Sequence, residues 1–351
     1  MLRGWKQIAA QLHRDVRTVQ RWERTEQLPV HRQRHLKLGA VHAVRAELDR
    51  WLADRMAPKP EACLSLRIRN PRAYELYLGG RQLFHQFRRR SFERAREMFR
   101  RAIALDSEFA LAHSGLADCC SYLYLYWEPT VDNLRVADSA SRRAIALSPG
   151  LAEAQLSRAV ALSTLRNYPE AEQAFRSAIG LDPNLFEARY FCGRCYLAQG
   201  KFKDAIAPLR AACRLREEDY QAPALLALAY TSLKRRKSAS RAHARAVAIA
   251  KQQLSVNPGD VRALYLGAGC LAHLGRRKTA LAWAAQALAL DGKDSAVQYN
   301  IGCLYAILGR SDEALRCLKR VVRSGWRKEW IKHDPDWSAL RGRKEFIALI
   351  S

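Results

Sequence analysis

An alanine returns along this chain at one spacing. Ala171, Ala205 and Ala239 stand 34 residues apart, and so do Ala280 and Ala314. A second series runs at the same offset behind them: Ala102, Ala144, Ala178, Ala212, Ala246, Ala287 and, with a larger side chain, Val321. A fixed period of this length marks a solenoid, in which each unit is one supersecondary element that buries its apolar face only against its neighbours. The 351 residues leave room for such an array and one small extra domain.

Each unit reads as two amphipathic helices. In Phe186–Leu215 the first helix carries Tyr190, Phe191, Gly193, Tyr196 and Leu197, and Gly200 breaks it. The second runs Lys203–Leu215 with Ala205, Leu209 and Ala212, four and three residues apart, on one stripe. Gly193 and Ala205 are small enough to let the two helices approach closely. Leu181-Asp182-Pro183 and Val256-Asn257-Pro258 are stop signals, in which Asp or Asn with Pro ends one helix and starts the next.

This pattern resembles the tetratricopeptide repeat. Asn167-Tyr168-Pro169-Glu170-Ala171, Lys201-Phe202-Lys203-Asp204-Ala205 and Gly309-Arg310-Ser311-Asp312-Glu313-Ala314 are similar to its inter-helix turn; Ala178–Pro183 and Ala287–Asp291 are similar to the end of its second helix. Seven units are keyed to Ala95, Ala137, Ala171, Ala205, Ala239, Ala280 and Ala314. Two spacings depart from the period. Ala95 to Ala137 leaves about eight extra residues near Tyr126-Trp127-Glu128-Pro129, and Ala239 to Ala280 a lengthened second helix, Ser238–Val256. The resemblance implies an all-α, right-handed superhelix with a concave groove lined by first helices, which takes an extended peptide or a partner's helix. Candidate groove residues are His113, Arg158, Arg189, Arg194, Tyr265, Gln298 and Asn300, Arg158 because other units carry Cys192 or Ile301 in that place. The Lys and Asn clamp by which some such domains hold a C-terminal carboxylate is not apparent. The expected boundaries are 1–56 for an N-terminal domain, 57–70 for a Pro-bearing linker, 71–325 for the array and 326–351 for capping helices. In the cap Trp330, Trp337, Leu340, Phe346 and Ile350 would cover the last unit.

The first 56 residues lack the period. Gly4–Leu12 reads as a short helix with Trp5, Ile8, Ala9 and Leu12 on one face. Asp15 is an N-cap for a second helix, Val16–Arg24. Val16, Val19 and Trp22 cluster on one side of that helix and Arg17, Thr18, Arg21 and Arg24 on the other. Leu28–Arg32 and Gly39–Ala43 read as two short strands, and Val44–Arg55 as a helix with Leu48, Trp51 and Leu52 inward. The order resembles the winged helix-turn-helix of MerR-type regulators and excisionases, through Ile8-Ala9-Ala10, Val16–Glu23 and Glu47–Leu52. The resemblance implies that Arg17, Thr18 and Arg21 read the major groove of double-stranded DNA. Arg14, Arg24, Arg32, Arg34, His35 and Lys37 would hold phosphates. A single module of this size buries about 600–1,000 Å² on DNA, so tight specific binding calls for a homodimer. Asp15 departs from the neutral cap usual there, and the chain starts only three residues before the first helix.

Composition fits binding better than catalysis. There are 60 Lys+Arg against 34 Asp+Glu, divided 12 to 6 over residues 1–57 and 48 to 28 over the rest. Such a balance favours polyanions or acidic proteins; codon usage rich in Arg and Ala accounts for the array's share equally well. The nine Cys sit among Ala and Leu, and Cys192-x-x-Cys195 has no second pair at zinc spacing. They read as small apolar residues in a reducing compartment, with no metal and no cofactor. No phosphate loop, HExxH, GxSxG or kinase-like Asp-Phe-Gly is present, so no enzyme is expected. No signal peptide or apolar run near ~18 residues is visible, which gives a cytoplasmic protein with no membrane partner. The sequence reading is thus a DNA-binding regulator whose array holds a protein or peptide. The competing readings are a scaffold whose N-terminal domain docks another protein, and a basic array that itself holds nucleic acid.

Overall fold

The computed structural model describes residues 2–12, 16–32, 41–56, 69–326 and 328–351. The chain divides into two compact units, residues 1–67 and 68–351. The expected linker, 57–70, lies outside the described residues except for Arg69 and Asn70.

In the N-terminal unit the elements are β1 (Leu2–Arg3), α1 (Gly4–Gln11), α2 (Val16–Glu26), β2 (His31–Arg32), β3 (Val41–Ala43) and α3 (Arg45–Met56). The strands form one antiparallel sheet in the order β1-β3-β2, with Leu2 opposite Ala43 and His31 opposite His42. Ile8, Ala9 and Leu12 of the first helical segment meet Val19 and Trp22 of α2, Val41 and Ala43 of β3 and Leu48 of α3 in one core. Trp51 is half-buried against Trp22, ring centroids 5.6 Å apart; the Leu52 side chain lies outside the described residues. Val19 and Trp22 are three residues apart and therefore share the inner face of α2.

The second unit is an all-α solenoid of seven hairpins. They are α4 (Pro71–Phe84) with α5 (Arg89–Leu105), α6 (Ala110–Tyr126) with α7 (Val131–Leu147), α8 (Ala152–Thr164) with α9 (Tyr168–Leu181), α10 (Phe186–Ala198) with α11 (Phe202–Leu215), α12 (Gln221–Ser232) with α13 (Arg236–Val256), α14 (Val261–His273) with α15 (Arg277–Asp291), and α16 (Ser295–Ile307) with α17 (Ser311–Arg323). Asn70 starts the first hairpin: its side chain accepts from Arg72 N (3.0 Å) and Ala73 N (3.2 Å), and Pro71 occupies the first turn. The extra residues of the second hairpin are spread over α6 and α7, each 17 residues, where α8 and α9 have 13 and 14. Those of the fifth lengthen α13 to 21 residues.

Both alanine series are buried. Ala95, Ala102, Ala171, Ala178, Ala205, Ala212, Ala280, Ala287 and Ala314 have no exposed surface. Their small side chains let paired helices approach, and the glycines do the same from the other side. A Cβ on Gly193 would lie 2.5 Å from Leu209 Cγ, and one on Gly80 2.7 Å from the Phe99 ring.

The turns inside the third to seventh hairpins share one form. Arg166 (φ 65°), Gly200 (71°), Lys234 (56°), Gly275 (73°) and Gly309 (74°) are all left-handed. After each, the next amide reaches back to the first helix: Asn167 N to Leu162 O, Lys201 N to Tyr196 O, Arg235 N to Tyr230 O, Arg276 N to Leu271 O and Arg310 N to Tyr305 O, at 2.8–2.9 Å. This is the six-to-one bond of a Schellman cap, which satisfies a terminal carbonyl and reverses the chain.

Beyond the last hairpin come α18 (Lys328–His333), a 3₁₀ turn (Pro335–Leu340) and α19 (Lys344–Ile350). Asp334 caps the 3₁₀ turn through Asp336 N (3.0 Å). Trp337, Leu340 and Phe346 are buried against Tyr299, Cys303, Ala314, Leu318 and Val321 of the seventh hairpin.

The left-handed turn predicts opposite effects at two equivalent places. Lys234→Gly removes the crowding of a Cβ at positive φ and should raise stability by about 1 kcal/mol. Gly309→Ala, whose Cβ would meet nothing within 4 Å, should lower it by about as much, because only backbone conformation is at stake. Urea denaturation of the two variants checks both.

Candidate binding cavity

The inner surface of the solenoid is built by the same register that buries the alanines. Glu153, Glu187, Gln221, Arg262 and Ala296 are the first or second residues of α8, α10, α12, α14 and α16. Three, four and seven residues further on, a helix returns to the same face. In α10 that gives Tyr190, Phe191 and Arg194; in α14, Tyr265 and Leu266; in α16, Tyr299 and Asn300. These residues line an aromatic cavity with about 1120 Å³ of free space, part of it open to solvent, together with Tyr122, Tyr126, Trp326 and Trp330. An adjoining cavity of about 1020 Å³ shares Tyr122, Tyr190, Phe191, Gln221 and Arg262 with it and adds Arg81, Asp118, Glu153, Glu187 and Arg216.

Residues far apart in sequence meet across this space. Trp127 Nε1 donates to Asp294 Oδ2 at 2.5 Å, joining the second hairpin to the seventh. Tyr126 lies edge-on to Trp326, ring centroids 5.7 Å apart, and Trp326 stacks on Tyr299 at 5.0 Å. The Arg262 guanidinium sits 3.5 Å from the ring centroid of Phe87, in the turn of the first hairpin.

The two cavities differ in charge. In the adjoining cavity Glu187 pairs with Arg216 at 2.9 Å. Burial alone would raise the Glu187 carboxyl, but the Arg216 and Arg81 cations outweigh it and hold it below the ordinary value. Burial pushes Asp118 up from 3.8 to about 7 against the pull of Arg81. Burial and the Arg81 cation lower His85 to about 4. The aromatic cavity holds two cations, Arg194 and Arg262, and no carboxylate among its lining residues. Arg194 faces the rings of Tyr126 (5.3 Å), Trp330 (5.6 Å) and Tyr190 (6.0 Å) and forms no ion pair among the described residues. Arg262 donates once, over a long 3.4 Å, to the Tyr190 hydroxyl, and its Nε is buried with no acceptor in the protein. A guanidinium carries five N–H donors. Facing a ring offsets part of the cost of desolvation, typically by about 0.5–2 kcal/mol, but satisfies no donor. A buried donor left open costs about 1–3 kcal/mol.

The groove residues chosen from the sequence separate in the structure. Arg194, Tyr265 and Asn300 line the aromatic cavity. Arg158 does not: it is 7% exposed and paired with Asp138 of α7 at 2.5 Å, because its face of α8 turns toward the preceding second helix. Gln298 does not either; it is buried, and its Nε2 donates to Gly292 O at 2.6 Å, tying down the turn before α16. His113 bonds Ser107 O at 3.1 Å and Arg189 has a buried Nε; neither lines a cavity described above. Trp330, expected to cover the last unit, packs against the core of that unit and also lies over Arg194. Arg262 was missed. Its signal was its place, one position before the fully buried Ala263, where the equivalent residues of other units are Glu153, Glu187 and Gln221.

In the N-terminal unit Arg17 and Arg24 are exposed and Arg21 is half-buried. Thr18 is 7% exposed, so it belongs with Val19 on the inner face and cannot reach a base. Arg32 is gripped by both carboxylate oxygens of Glu23 (2.7 and 2.9 Å), which competes with any phosphate. Arg14, Arg34, His35 and Lys37 lie outside the described residues. Among the described residues no helix is long and apolar enough to cross a membrane.

Models of the tetratricopeptide repeat match residues 85–120, 132–185, 156–223 and 295–324. The hairpins within those residues are tetratricopeptide repeats, and the second unit as a whole is an all-α solenoid of helical hairpins. Among solved structures, the human IFIT1 dimer with m7Gppp-AAAA is 14% identical, with a TM-score of 0.55, over 87% of this chain and 76% of that one. YrrB, described as a tetratricopeptide-repeat protein with an unusual peptide-binding site, is 23% identical over 55% of this chain and 96% of that one, with a TM-score of 0.35. A thermophilic tetratricopeptide-repeat protein of Thermus thermophilus, TTC0263, is 20% identical over 55% and 98%, with a TM-score of 0.44. At these identities the likeness is one of fold. No curated protein matches the sequence.

The Asp118 carboxyl gives the second unit a pH signature. Its value is about 7 when folded against 3.8 unperturbed, so the folded state keeps a proton that the unfolded chain releases. Its contribution to stability is complete below about pH 4 and is lost as pH rises toward 7. Asp118→Asn should flatten that fall, which denaturation midpoints measured across the interval will show.

Proposed function

We propose that this chain is a regulatory binding protein rather than an enzyme: its repeat unit captures a negatively charged partner or ligand on the inner face of the solenoid, and its N-terminal unit docks on double-stranded DNA. The observation that carries the first half is the pair of cations, Arg194 and Arg262, held among aromatic rings in a cavity whose lining has no carboxylate. A cavity of this kind with a few convergent polar groups is the form ligand sites take. Nothing in it pairs a nucleophile with a base, as covalent catalysis would need.

The second half is favoured by α2. Val19 and Trp22 anchor its inner face, while Arg17 and Arg24 stand exposed on the other with Arg21 between them. The pairing of β2 with β3 behind α2 agrees with the wing of a winged helix-turn-helix. In this reading Arg17 and Arg21 face base edges and Arg24 a phosphate; Thr18 has no part. Tight binding would come from a homodimer, and the ligand in the solenoid would act by altering dimerisation or access to DNA.

Selection of binding sites from random duplex DNA at physiological salt tests the second half. The wild type should enrich a motif that Arg17→Ala/Arg24→Ala does not, and affinity should fall by about 10³–10⁵ between 50 and 200 mM salt if 6–10 phosphates are contacted. Equal, unselective binding by both proteins would leave an interaction scaffold whose N-terminal unit docks another protein.

A further inference from the structure

We infer that the aromatic cavity of the repeat unit is a site for a small aromatic anion, a molecule with one flat ring system and one acidic group. The inference rests on the reading of this cavity as the binding site and names the class of ligand it takes.

Three observations point the same way. The first is charge. Arg194 and Arg262 both line the cavity, and no acidic residue lines it with them. The neighbouring cavity, which shares Arg262, sets Asp118, Glu153 and Glu187 against Arg81 and Arg216. Two guanidinium groups without an ion pair among the described residues match an anion, and their planar forks suit a carboxylate or phosphate held by paired hydrogen bonds. The buried Nε of Arg262, without an acceptor in the protein, is a donor such a group would satisfy.

The second is the wall. Tyr126, Tyr190, Tyr265, Tyr299, Trp326 and Trp330 surround the cations. Trp326 and Tyr299 already lie parallel, 14° apart, so the cavity presents flat apolar faces against which a planar ring stacks. Asn300 and Gln221 add neutral polar groups for the ring's edge.

The third is enclosure, which separates a small ligand from a peptide. An extended segment needs an open groove to lie along. Here the Trp127–Asp294 hydrogen bond, the Tyr126–Trp326 contact and the Arg262–Phe87 stack join opposite sides of the space. The C-terminal segment adds a further wall: Trp330 stands over Arg194, and the His333 ring packs so close to Gly200 that a Cβ there would lie 2.8 Å from it.

The test is calorimetric titration of the full chain with AMP, GMP, indoleacetate and hydroxybenzoate, beside inorganic phosphate, acetate and an acidic peptide of Asp and Glu. At least one aromatic anion should bind saturably, one per chain. Its affinity should fall roughly tenfold or more in Arg262→Gln and in Arg194→Gln, and less in Arg194→Lys, which keeps the charge. Asn300→Asp leaves both arginines in place and sets a negative charge in the wall; it too should abolish binding, which covers the case of an arginine variant that fails to fold. The nucleotide and carboxylate arms tell which source of the acidic group is used. Equal binding of phosphate or acetate would overturn the role of the ring. Arginine-dependent binding of the acidic peptide alone would overturn the small-ligand class and keep the cavity as the binding site. Binding of none of the probes would sink both.

Discussion

The close approach of the two helices in each hairpin is the constraint on which everything else in the solenoid depends. It is possible because one residue of each seam is Ala and the facing residue of several first helices is Gly. Ala205 is fully buried, and Gly193 leaves Leu209 room that a single methyl group would fill. With the helix pair fixed at that distance, the hairpin has one register. The side chains that turn away from the seam in α8, α10, α12, α14 and α16 then fall in rows, and those rows make the inner surface. In the third to seventh hairpins the left-handed residue of the turn sets where the second helix starts, so seam and turn enforce one geometry.

That surface is chemically uneven along the array. The row that begins each first helix runs from Glu153 and Glu187 through Gln221 to Arg262 and Ala296, so within the row the acidic residues come first and the one cation later. Where acids and arginines share a cavity, the charges answer one another, as Glu187 and Arg216 do. Where aromatic rings replace the acids, Arg194 and Arg262 keep their charge against the π faces, and Arg262 leaves its Nε donor unused. A surface that was only structural would not need two desolvated guanidinium groups there, since apolar side chains of the same volume would fill the space at lower cost.

Much of the solenoid was legible in the sequence, because a seam that tolerates only small residues writes itself as a period. The series through Ala171 and Ala178 placed the hairpins and the long α13, and it gave the second hairpin its extra residues, which the structure spreads over α6 and α7. Less of the inner surface was legible. Choosing polar residues on first helices picked Arg194, Tyr265 and Asn300, but also Arg158 and Gln298, whose side chains turn into protein and find Asp138 and Gly292. Polarity alone does not fix a helical face; counting from the buried alanines does, and that count reaches Arg262. Thr18 failed for the same reason, since it sits beside Val19 and is turned with it out of solvent. The cross-cavity contacts had no sequence signal at all. Trp127 and Asp294 are 167 residues apart, and a nearest-neighbour pattern says nothing about where a superhelix returns to itself.

Those contacts change what kind of object the array is. An open solenoid is a line: each repeat leans only on its neighbours, its ends fray first, and the loss of one unit is felt by two others. Joining the second hairpin to the seventh through Trp127 and Asp294, and the first to the sixth through Phe87 and Arg262, bends the line toward a loop. In a loop no unit is terminal in the mechanical sense, and strain introduced at one repeat is shared in both directions around the circuit. The contacts thus couple hairpins that, laid end to end, would lean only on their neighbours.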